Sequence, residues 1–291
     1  MRSVRETSRS PLLLELADDR TGARVEIAPT RGGMATRFCV GERDVFYMDA
    51  TTLADPTKNV RGGNPVLFPS PGKLEGDTWT YGAHEGHLEQ HGFARKLPWR
   101  VAATSDSKDL ATASLTLEST DATRAVWPWE FAVTLTYSLA GSTLRIMQWI
   151  QNRSLDEAMP FGIGFHPYFL VKDKRGARIP TPATRAFDNV AKKEIPFAGF
   201  DLTLPEVDLH LVDHGSTEAT LHFGDGDGGG KLALRGAPEL THWVVWTAAG
   251  KDYVCLEPWS CPGNALNTGA GLLMLEPGEA RVLALDLELS S

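Results

Sequence analysis

A two-residue alternation of apolar and polar side chains is the feature that most constrains the fold of this chain. It is clearest at 129–139 and 280–289, where every second residue is large and apolar. A period of two is typical of strands with one buried face. The chain shows no convincing helical period over several turns, no internal repeat and no composition break that would mark a linker. The pattern therefore predicts an all-β fold, a single large antiparallel β-sandwich domain over 11–291.

Shorter strands are expected around these two. Four of them, at 12–16, 23–28, 35–40 and 43–48, are separated by turn residues and predict an opening meander. The polar residues 1–10 are expected to be disordered. Two segments, 55–99 and 170–217, lack strand patterning. We expect 170–217 to form loops over one end of the sheet. Segment 55–99 is rich in glycine, proline and aromatic residues, and long loops of this kind often carry function.

Charge and composition limit the partners of the chain. Its 291 residues carry a formal net charge of -8, which argues against nucleic acid or an anionic membrane as the main partner. No apolar run is long enough to span a bilayer, and the first residues lack the apolar core of a signal peptide, so a cytoplasmic location is expected. The three cysteines, Cys39, Cys255 and Cys261, are too few for a disulfide framework and are interpreted as packing residues.

One histidine, His166, stands between apolar strand residues and Pro167. Proline cannot donate to a sheet ladder and favours an extended residue before it, so His166 is expected to end a strand at a sheet rim and to face a cleft. Tyr168 would line that cleft. A histidine there can exchange a proton near neutral pH, although a buried structural histidine would fit the same pattern.

A carboxylate repeats this arrangement further along the chain. Glu257 ends an apolar strand and is followed by Pro258 and Trp259. Because an ionised carboxylate is costly to bury unless it is paired or used, a catalytic base is one hypothesis for Glu257. A structural glutamate hydrogen-bonded to nearby backbone is the other.

The long segment 55–99 also carries basic side chains among glycines. Arg61 precedes two glycines, Lys73 follows one, and His91 lies four residues before Arg95. Glycine lets a backbone approach a ligand closely, and a guanidinium offers a fork of hydrogen-bond donors. These four residues are therefore candidates for binding a polar ligand.

Together the motifs resemble the aldose 1-epimerase family, also called galactose mutarotase-like proteins. The resemblance rests on four motifs that occur in the family's order and cover nearly the whole chain: Gly63-Asn-Pro-Val-Leu-Phe-Pro69 with Gly72-Lys-Leu74, His91-Gly-Phe-Ala-Arg95, Gly164-Phe-His-Pro-Tyr-Phe169, and Cys255-Leu-Glu-Pro-Trp259. Each motif is weak alone, and the set is specific. The resemblance implies an antiparallel β-sandwich of the mutarotase-like supersandwich type, with a sugar-binding cleft.

The resemblance also implies roles for side chains in that cleft. Glu257 would be the general base, His166 the general acid, and His91 a second histidine near the ring oxygen of the sugar. An acidic residue would hold sugar hydroxyls, with Asp208 as the first candidate and Asp201 and Asp188 as competitors. The remaining sugar contacts would come from Arg61, Lys73 and Arg95, and from no more than two of the aromatic residues Tyr168, Trp259, Trp79 and Phe93.

The implied reaction interconverts the α and β anomers of a hexose and requires only the movement of protons. Glu257 would take the proton of the anomeric hydroxyl while His166 gives one to the ring oxygen, which opens the ring to the aldehyde. Rotation about the first carbon–carbon bond and reclosure would give the other anomer. Each positioned proton transfer typically contributes about 10²–10⁴ in rate. The expected enzyme is an isomerase of carbohydrate metabolism that needs no metal, nucleotide or flavin cofactor.

Two other sugar-related functions stay open. Arg61 and Arg95 would suit a phosphate, so a hexose-6-phosphate 1-epimerase is an alternative, although Lys73 stands where many relatives carry arginine. A non-catalytic sugar-binding protein would keep its affinity without His166, whereas the epimerase would lose turnover. In each case the expected partner is a small sugar or sugar phosphate, and the chain is expected to be a monomer or a homodimer.

Three further enzyme classes fit the sequence less well. The histidines of 84–91 have two glutamates between them, but a glycine-containing loop does not fix a tetrahedral metal site. A glycoside hydrolase would need a second carboxylate opposite Glu257. A Cys255 nucleophile would need neighbours that lower the pKa of its thiol, and the sequence shows none.

Overall fold

Strands dominate residues 1–7 and 11–290, which are described by the structure, a computed structural model. The three α-helices are short: α1 (Ala50–Ala54), α2 (Asp121–Arg124) and α3 (Ala265–Thr268). Single 3-10 turns occur at Glu75–Asp77, Ala94–Lys96 and Asp225–Asp227. In chain order the strands are β1 (Arg2–Thr7), β2 (Leu13–Asp18), β3 (Ala23–Ala28), β4 (Met34–Val40), β5 (Arg43–Asp44), β6 (Val66–Leu67), β7 (Thr78–Tyr81), β8 (His84–His87), β9 (Arg100–Asp106), β10 (Ala111–Glu118), β11 (Phe131–Ala140), β12 (Thr143–Asn152), β13 (Met159–Phe161), β14 (Gly164–Phe165), β15 (Tyr168–Leu170), β16 (Arg185–Asp188), β17 (Lys193–Pro196), β18 (Glu206–Leu211), β19 (Glu218–His222), β20 (Lys231–Gly236), β21 (His242–Ala248), β22 (Tyr253–Trp259), β23 (Leu273–Leu275) and β24 (Ala280–Ser290).

Three large antiparallel sheets carry the fold. A five-stranded sheet has the order β1-β2-β3-β4-β5, and a seven-stranded sheet has the order β19-β20-β24-β12-β11-β10-β9. The third sheet, called the site sheet below, has the order β17-β16-β18-β21-β22-β14-β6, and β15 also pairs with β22. The five-stranded sheet packs on the seven-stranded one where β1, β2 and β3 meet β9, β10 and β11. The all-β antiparallel sandwich predicted from the sequence is confirmed.

The core follows the two-residue alternation. Along β11 the side chains of Phe131, Val133, Leu135, Tyr137 and Leu139 are fully buried, and threonines and serine face outward between them. One hydrophobic cluster takes in Leu14 of the five-stranded sheet, Val133 of the seven-stranded sheet and Leu256 of the site sheet. The three sheets therefore share one apolar interior.

Short helical and loop segments fix the backbone of Arg61. Asp49 caps α1 through hydrogen bonds from the N–H groups of Thr51 and Thr52. The hydroxyl of Thr52 accepts from the N–H of Arg61 at 2.9 Å. Arg31 stabilises the segment between them, because its guanidinium donates to the carbonyl groups of Thr52, Leu53, Asp55, Pro56 and Lys58. In the described residues no helix has the length and apolar character needed to cross a membrane.

The N-terminal strand corrects the expectation that residues 1–10 are disordered. β1 pairs with β2 from Arg2 opposite Asp18 to Thr7 opposite Leu13. A buried ion pair of 2.9 Å joins the Arg2 guanidinium and the Asp18 carboxylate, whose side chains are 4% and 0% exposed. The polar composition of the segment misled the prediction because strand pairing and this ion pair replace the missing apolar contacts. Residues 8–10 lie outside the described residues.

The two segments interpreted as irregular also contain strands. Between 170 and 217, β16, β17 and β18 form one edge of the site sheet, so the expectation of loops there was wrong. Between 55 and 99, β6 joins the site sheet, and β7 and β8 form a hairpin. These strands are two to six residues long, too short for an alternation of side chains to stand out from the prolines around them.

We expect Asp18→Asn to destabilise the fold by roughly 2–4 kcal/mol at neutral pH, because it leaves Arg2 buried without its counter-ion. Burial raises the pKa of Asp18, but hydrogen bonds from Arg20 and Gly141 and the charge of Arg2 outweigh burial and lower that pKa. A lowered pKa gives stability that is present above the unfolded value and lost as pH falls.

Urea unfolding should therefore show that the free energy of unfolding of Asp18→Asn is below that of wild type at pH 7, and that this difference shrinks towards pH 2. Asp19→Asn is the matched control, since Asp19 is 54% exposed and pairs with Arg24 at the surface. An equally small decrease in the free energy of unfolding of both variants would contradict a stabilising role for the buried pair.

Candidate active site

The site sheet has one apolar face and one polar and aromatic face. Along β22, Val254 and Leu256 enter the hydrophobic core, whereas Cys255, Glu257 and Trp259 point to the opposite side. Successive strand residues face opposite sides of a sheet, so this division follows directly from the strand. The polar and aromatic face of the site sheet is called the site face below.

Strand register places the candidate residues in three rows across the site face. Residues directly opposite each other in antiparallel strands lie on the same face. The rows run across β18, β21, β22 and the β14–β15 segment. The first row is Asp208, Trp246, Cys255 and Tyr168. The second is His210, Val244 and Glu257, and the third is His242, Trp259 and Gly164. Residues from four separate chain segments thus converge on a small area.

His166 and Glu257 meet at the centre of the site face. The Nε2 atom of His166 lies 3.4 Å from Oε1 of Glu257, and the other carboxylate oxygen accepts a 3.2 Å hydrogen bond from the indole N–H of Trp259. The imidazole of His166 stacks on the ring of Tyr168, with centroids 4.8 Å apart and planes 10° apart. The backbone N–H of His166 donates to the carbonyl of Pro65. An acid–base pair is therefore held in fixed geometry.

Burial shifts the pKa values of this pair in opposite directions. Burial raises the pKa of Glu257 well above its ordinary value, and the nearby charge of Asp208 raises it further, against the hydrogen bond from Trp259 and the charge of Arg95. Burial lowers the pKa of His166 to about 3, helped by the charges of Arg95 and Arg61. Since burial disfavours both charged forms, Glu257 and His166 are together neutral. They share one proton in addition to the N–H that every neutral imidazole carries.

His91 lies beside this pair as a neutral hydrogen-bond donor. Its ring meets that of His166 edge to face at 5.3 Å. Burial lowers the pKa of His91 well below its ordinary value, and Nδ1 accepts a hydrogen bond from the N–H of Gly72, so the ring proton is on Nε2. His91 has a positive φ of 72°, and a Cβ on the following Gly92 would lie 2.3 Å from the carbonyl oxygen of Phe68. Close backbone approach therefore sets the position of the imidazole.

The predicted cations lie in different settings around the pair. Arg95 donates to the carbonyl of Gln90 at 2.9 Å, and its buried Nε has no hydrogen-bond partner in the described chain. The guanidinium of Arg61 lies 6.0 Å from the ring centroid of Trp246 and beside the hydroxyl of Tyr168. Lys73 is exposed and follows Gly72, which abuts the ring of Trp259. Two guanidinium groups therefore act on the acid–base pair, and Lys73 is exposed next to the contact between Gly72 and Trp259.

Of the three acidic candidates, the structure brings Asp208 to the site face. Its carboxylate accepts from the amide of Asn189 at 2.6 Å and lies 3.5 Å from Nε2 of His210. Asp201 instead accepts hydrogen bonds from Thr203 in an exposed turn. The Asp188 carboxylate accepts from backbone N–H groups of its own turn, at residues 190 and 191.

The four aromatic candidates divide evenly. Tyr168 and Trp259 lie on the site face, next to His166 and Glu257. Trp79 is fully buried in the main hydrophobic core, and Phe93 stacks on Phe131 there. The last two therefore pack in or against the core rather than on the site face.

Sequence reasoning missed several residues of the site face, above all His210, His242 and Trp246. A signal for the first was present, because Val207, Leu209 and Leu211 alternate with Asp208 and His210. That pattern is a short strand with a polar face, and it was interpreted as a loop because Pro205 precedes it.

One group in the described chain has donor atoms close enough to share a metal ion. The ligand atoms of His166, Cys255 and Glu257 all lie within 4.8 Å of one another. The charges of Arg61 and Arg95 act on the same place and oppose a cation there. The histidines of 84–91 are differently placed, since His84 pairs with Glu157 at 2.9 Å.

The three cysteines are free and buried, in agreement with a packing role. Burial raises the pKa of the Cys255 thiol well above its ordinary value, and the nearby Glu257 raises it further. Cys255 is therefore a thiol rather than a thiolate, and a nucleophilic role has no support.

Comparison with known proteins agrees with this architecture. The family model for aldose 1-epimerase matches residues 15–287. The chain is 26% identical over 288 residues to plasmid protein LacX of Lactococcus lactis subsp. lactis, covering 88% of this chain and 91% of LacX. It is 30% identical over 248 residues to a Cenchrus ciliaris protein provisionally named glucose-6-phosphate 1-epimerase, covering 74% of this chain and 68% of that protein.

A solved structure shows the same fold over the whole length. The crystal structure of the Slr1438 protein from Synechocystis sp. PCC 6803 superimposes with a TM-score of 0.92 at 37% identity, covering 100% of this chain and 99% of that one. A family match over almost the entire sequence, together with this fold, shows that the chain belongs to the aldose 1-epimerase family.

Proposed function

We propose that this aldose 1-epimerase interconverts hexose anomers by exchanging protons between the sugar and the buried pair of Glu257 and His166. The observation that carries the proposal is the 3.4 Å separation of His166 Nε2 and Glu257 Oε1 on the site face. Burying an acid and a base together is unfavourable for stability and useful for proton transfer. A protein that only binds sugar has no need of such a pair.

The reaction conserves the number of protons on the pair. In the productive form Glu257 is a carboxylate and His166 is protonated, which places the single proton of the neutral pair on the imidazole. Glu257 accepts the proton of the anomeric hydroxyl while His166 donates to the ring oxygen, and the bond between that oxygen and the anomeric carbon breaks. After rotation of the aldehyde, the reverse transfers close the ring on its other face.

Neighbouring groups support this exchange. The neutral His91 offers its Nε2–H beside His166, on the side proposed for the ring oxygen. Arg95 and Arg61 stabilise negative charge that develops on sugar oxygens, because donors held in place need little reorganisation as that charge forms. Asp208 accepts hydrogen bonds from sugar hydroxyls, and Tyr168 and Trp259 form apolar walls for the ring. Lys73 is proposed to contact a hydroxyl at the outer edge.

A hexose 6-phosphate is a second candidate substrate. Two guanidinium groups act on one cleft, one of them with an unpartnered Nε, and this suits a phosphate as well as neutral hydroxyls. The Cenchrus ciliaris relative carries a glucose-6-phosphate 1-epimerase name. Free hexose stays the first proposal because Lys73, at the outer edge, is a point charge without the fork geometry of arginine.

We expect Glu257→Gln to lower kcat by about 10²–10⁴ while sugar binding is largely kept, since the amide cannot accept the anomeric proton. Anomeric proton NMR of freshly dissolved α-glucose, α-galactose and glucose 6-phosphate measures the exchange and identifies the preferred substrate. Glu42→Gln is the matched control, because this exposed glutamate lies in the turn between β4 and β5, outside the site sheet. Full turnover in Glu257→Gln would exclude the proposed base.

The pH dependence of kcat/KM should show a broad plateau. Below about pH 3 a second proton binds His166 and no base is left, whereas loss of the shared proton at high pH removes the acid. Because burial raises the pKa of Glu257, the alkaline limb should lie well above the ordinary carboxyl range. Stopped-flow polarimetry between pH 2 and pH 10 measures both limbs. A narrow bell with limbs near 4.5 and 6.5 would indicate independent, solvated groups.

A further inference from the structure

A line of hydrogen-bonded side chains crosses the site face next to the acid–base pair. The amide of Asn189 donates to Oδ2 of Asp208 at 2.6 Å, and Nε2 of His210 lies 3.5 Å from Oδ1. On its other side, Nδ1 of His210 lies 2.9 Å from Nε2 of His242. The proton exchange proposed above gives neither histidine a role.

The two ends of this line differ in their protonation. Burial raises the pKa of Asp208, but hydrogen bonds from His210 and Asn189 outweigh burial, so its pKa is lowered and it is a carboxylate that only accepts. Burial lowers the pKa of His242 to about 3, so His242 is a neutral ring with one N–H. A proton on Nε2 of His242 is donated to Nδ1 of His210, the nitrogen it faces. Nε2 of His210 is the ring nitrogen that faces Asp208.

The same two histidines pack against the support of Glu257. His242 stacks on the ring of Trp259 at 5.8 Å and 26°, and His210 meets Trp259 edge to face at 5.3 Å. Trp259 is the residue that donates to Glu257. Four titratable groups of the described residues face His210: Asp208 on its own strand, His242 on β21, Glu257 on β22, and His91. Lys192 acts on Asp208 from further away, through its hydrogen bond to Asn189.

We propose that His210 and His242 are positioning residues that hold the Asp208 carboxylate in the orientation in which it accepts a sugar hydroxyl. His242 does so indirectly, by donating to Nδ1 of His210 and thereby keeping the His210 proton on Nε2. Two oriented donors, His210 and Asn189, occupy lone pairs of Asp208 and leave the others for the sugar. This inference rests on the proposed function, because Asp208 is there a contact to substrate.

A matched pair of variants at His242 separates positioning from packing. Phenylalanine keeps a ring stacked on Trp259 but has no N–H, whereas glutamine keeps an N–H donor and loses the aromatic ring. We expect His242→Phe to raise KM for α-glucose about tenfold, the effect of weakening one charge-assisted hydrogen bond, with kcat changed less than threefold. His242→Gln should stay within threefold of wild type in both.

A pH profile gives a second readout that packing alone would not move. Sugar binding should weaken as pH falls through the pKa of Asp208, because the protonated acid is a poorer acceptor. Since the hydrogen bond from His210 lowers that pKa, His210→Phe should begin its rise in KM at a higher pH than wild type. Wild-type KM and an unchanged KM profile in folded His242→Phe and His210→Phe would overturn the inference.

Nitrogen-15 NMR of the histidine rings in the wild-type protein tests the proton assignment without any variant. His210 should carry a proton on Nε2 and none on Nδ1, and His242 should carry its proton on Nε2. A proton on Nδ1 of His210 would overturn the inference even if a variant failed to fold. The proposed function fails separately, if wild type does not accelerate anomer exchange or Glu257→Gln retains it.

Discussion

The burial of a carboxyl group beside an imidazole, Glu257 beside His166, is the constraint on which the rest of the site depends. Neither group can carry its charge cheaply there, so together they retain a single proton that can move between them and a bound sugar. The surrounding side chains serve this arrangement: Trp259 donates to the carboxylate, Tyr168 stacks on the imidazole, and the charges of Arg95 and Arg61 act on the imidazole. The proposed proton transfers follow from this burial, because it disfavours charge on both groups and keeps one proton available for exchange with the sugar.

The antiparallel site sheet makes that burial possible. One face of β18, β21 and β22 packs into the common core, which fixes their register and therefore the rows on the opposite face. A shift of one residue along any of these strands would turn the catalytic side chains into the core. The alternation that folds the protein thus also sets the positions of the site residues on the strands. The loop residues His91 and Arg95 are held against the sheet by close backbone contacts at Gly72 and Gly92.

Strong local patterns made much of this predictable from sequence. The long strands β11 and β24 were evident from their alternation, and His166 and Glu257 were evident because each is a polar residue that follows an apolar run and precedes a proline. The meeting of these two residues was implied by the family resemblance, since they are 91 positions apart and nothing local encodes their contact. The short strand β18 was missed, and with it the partnership of His210 and His242, because pairing between distant strands depends on register that single-sequence patterns do not contain. β1 was missed because its buried ion pair replaces apolar residues.

The protonation state of Glu257 decides whether the buried pair holds its proton as proposed. Carbon-13 NMR of the side-chain carboxyl carbon, assigned by comparison with Glu257→Gln, can be followed from pH 3 to pH 9 in the protein without sugar. We predict a carboxyl group that stays protonated well above pH 4.5, because burial raises its pKa well above that value. A carbon signal that titrates near 4.5 would show a solvated carboxylate and contradict the shared-proton pair.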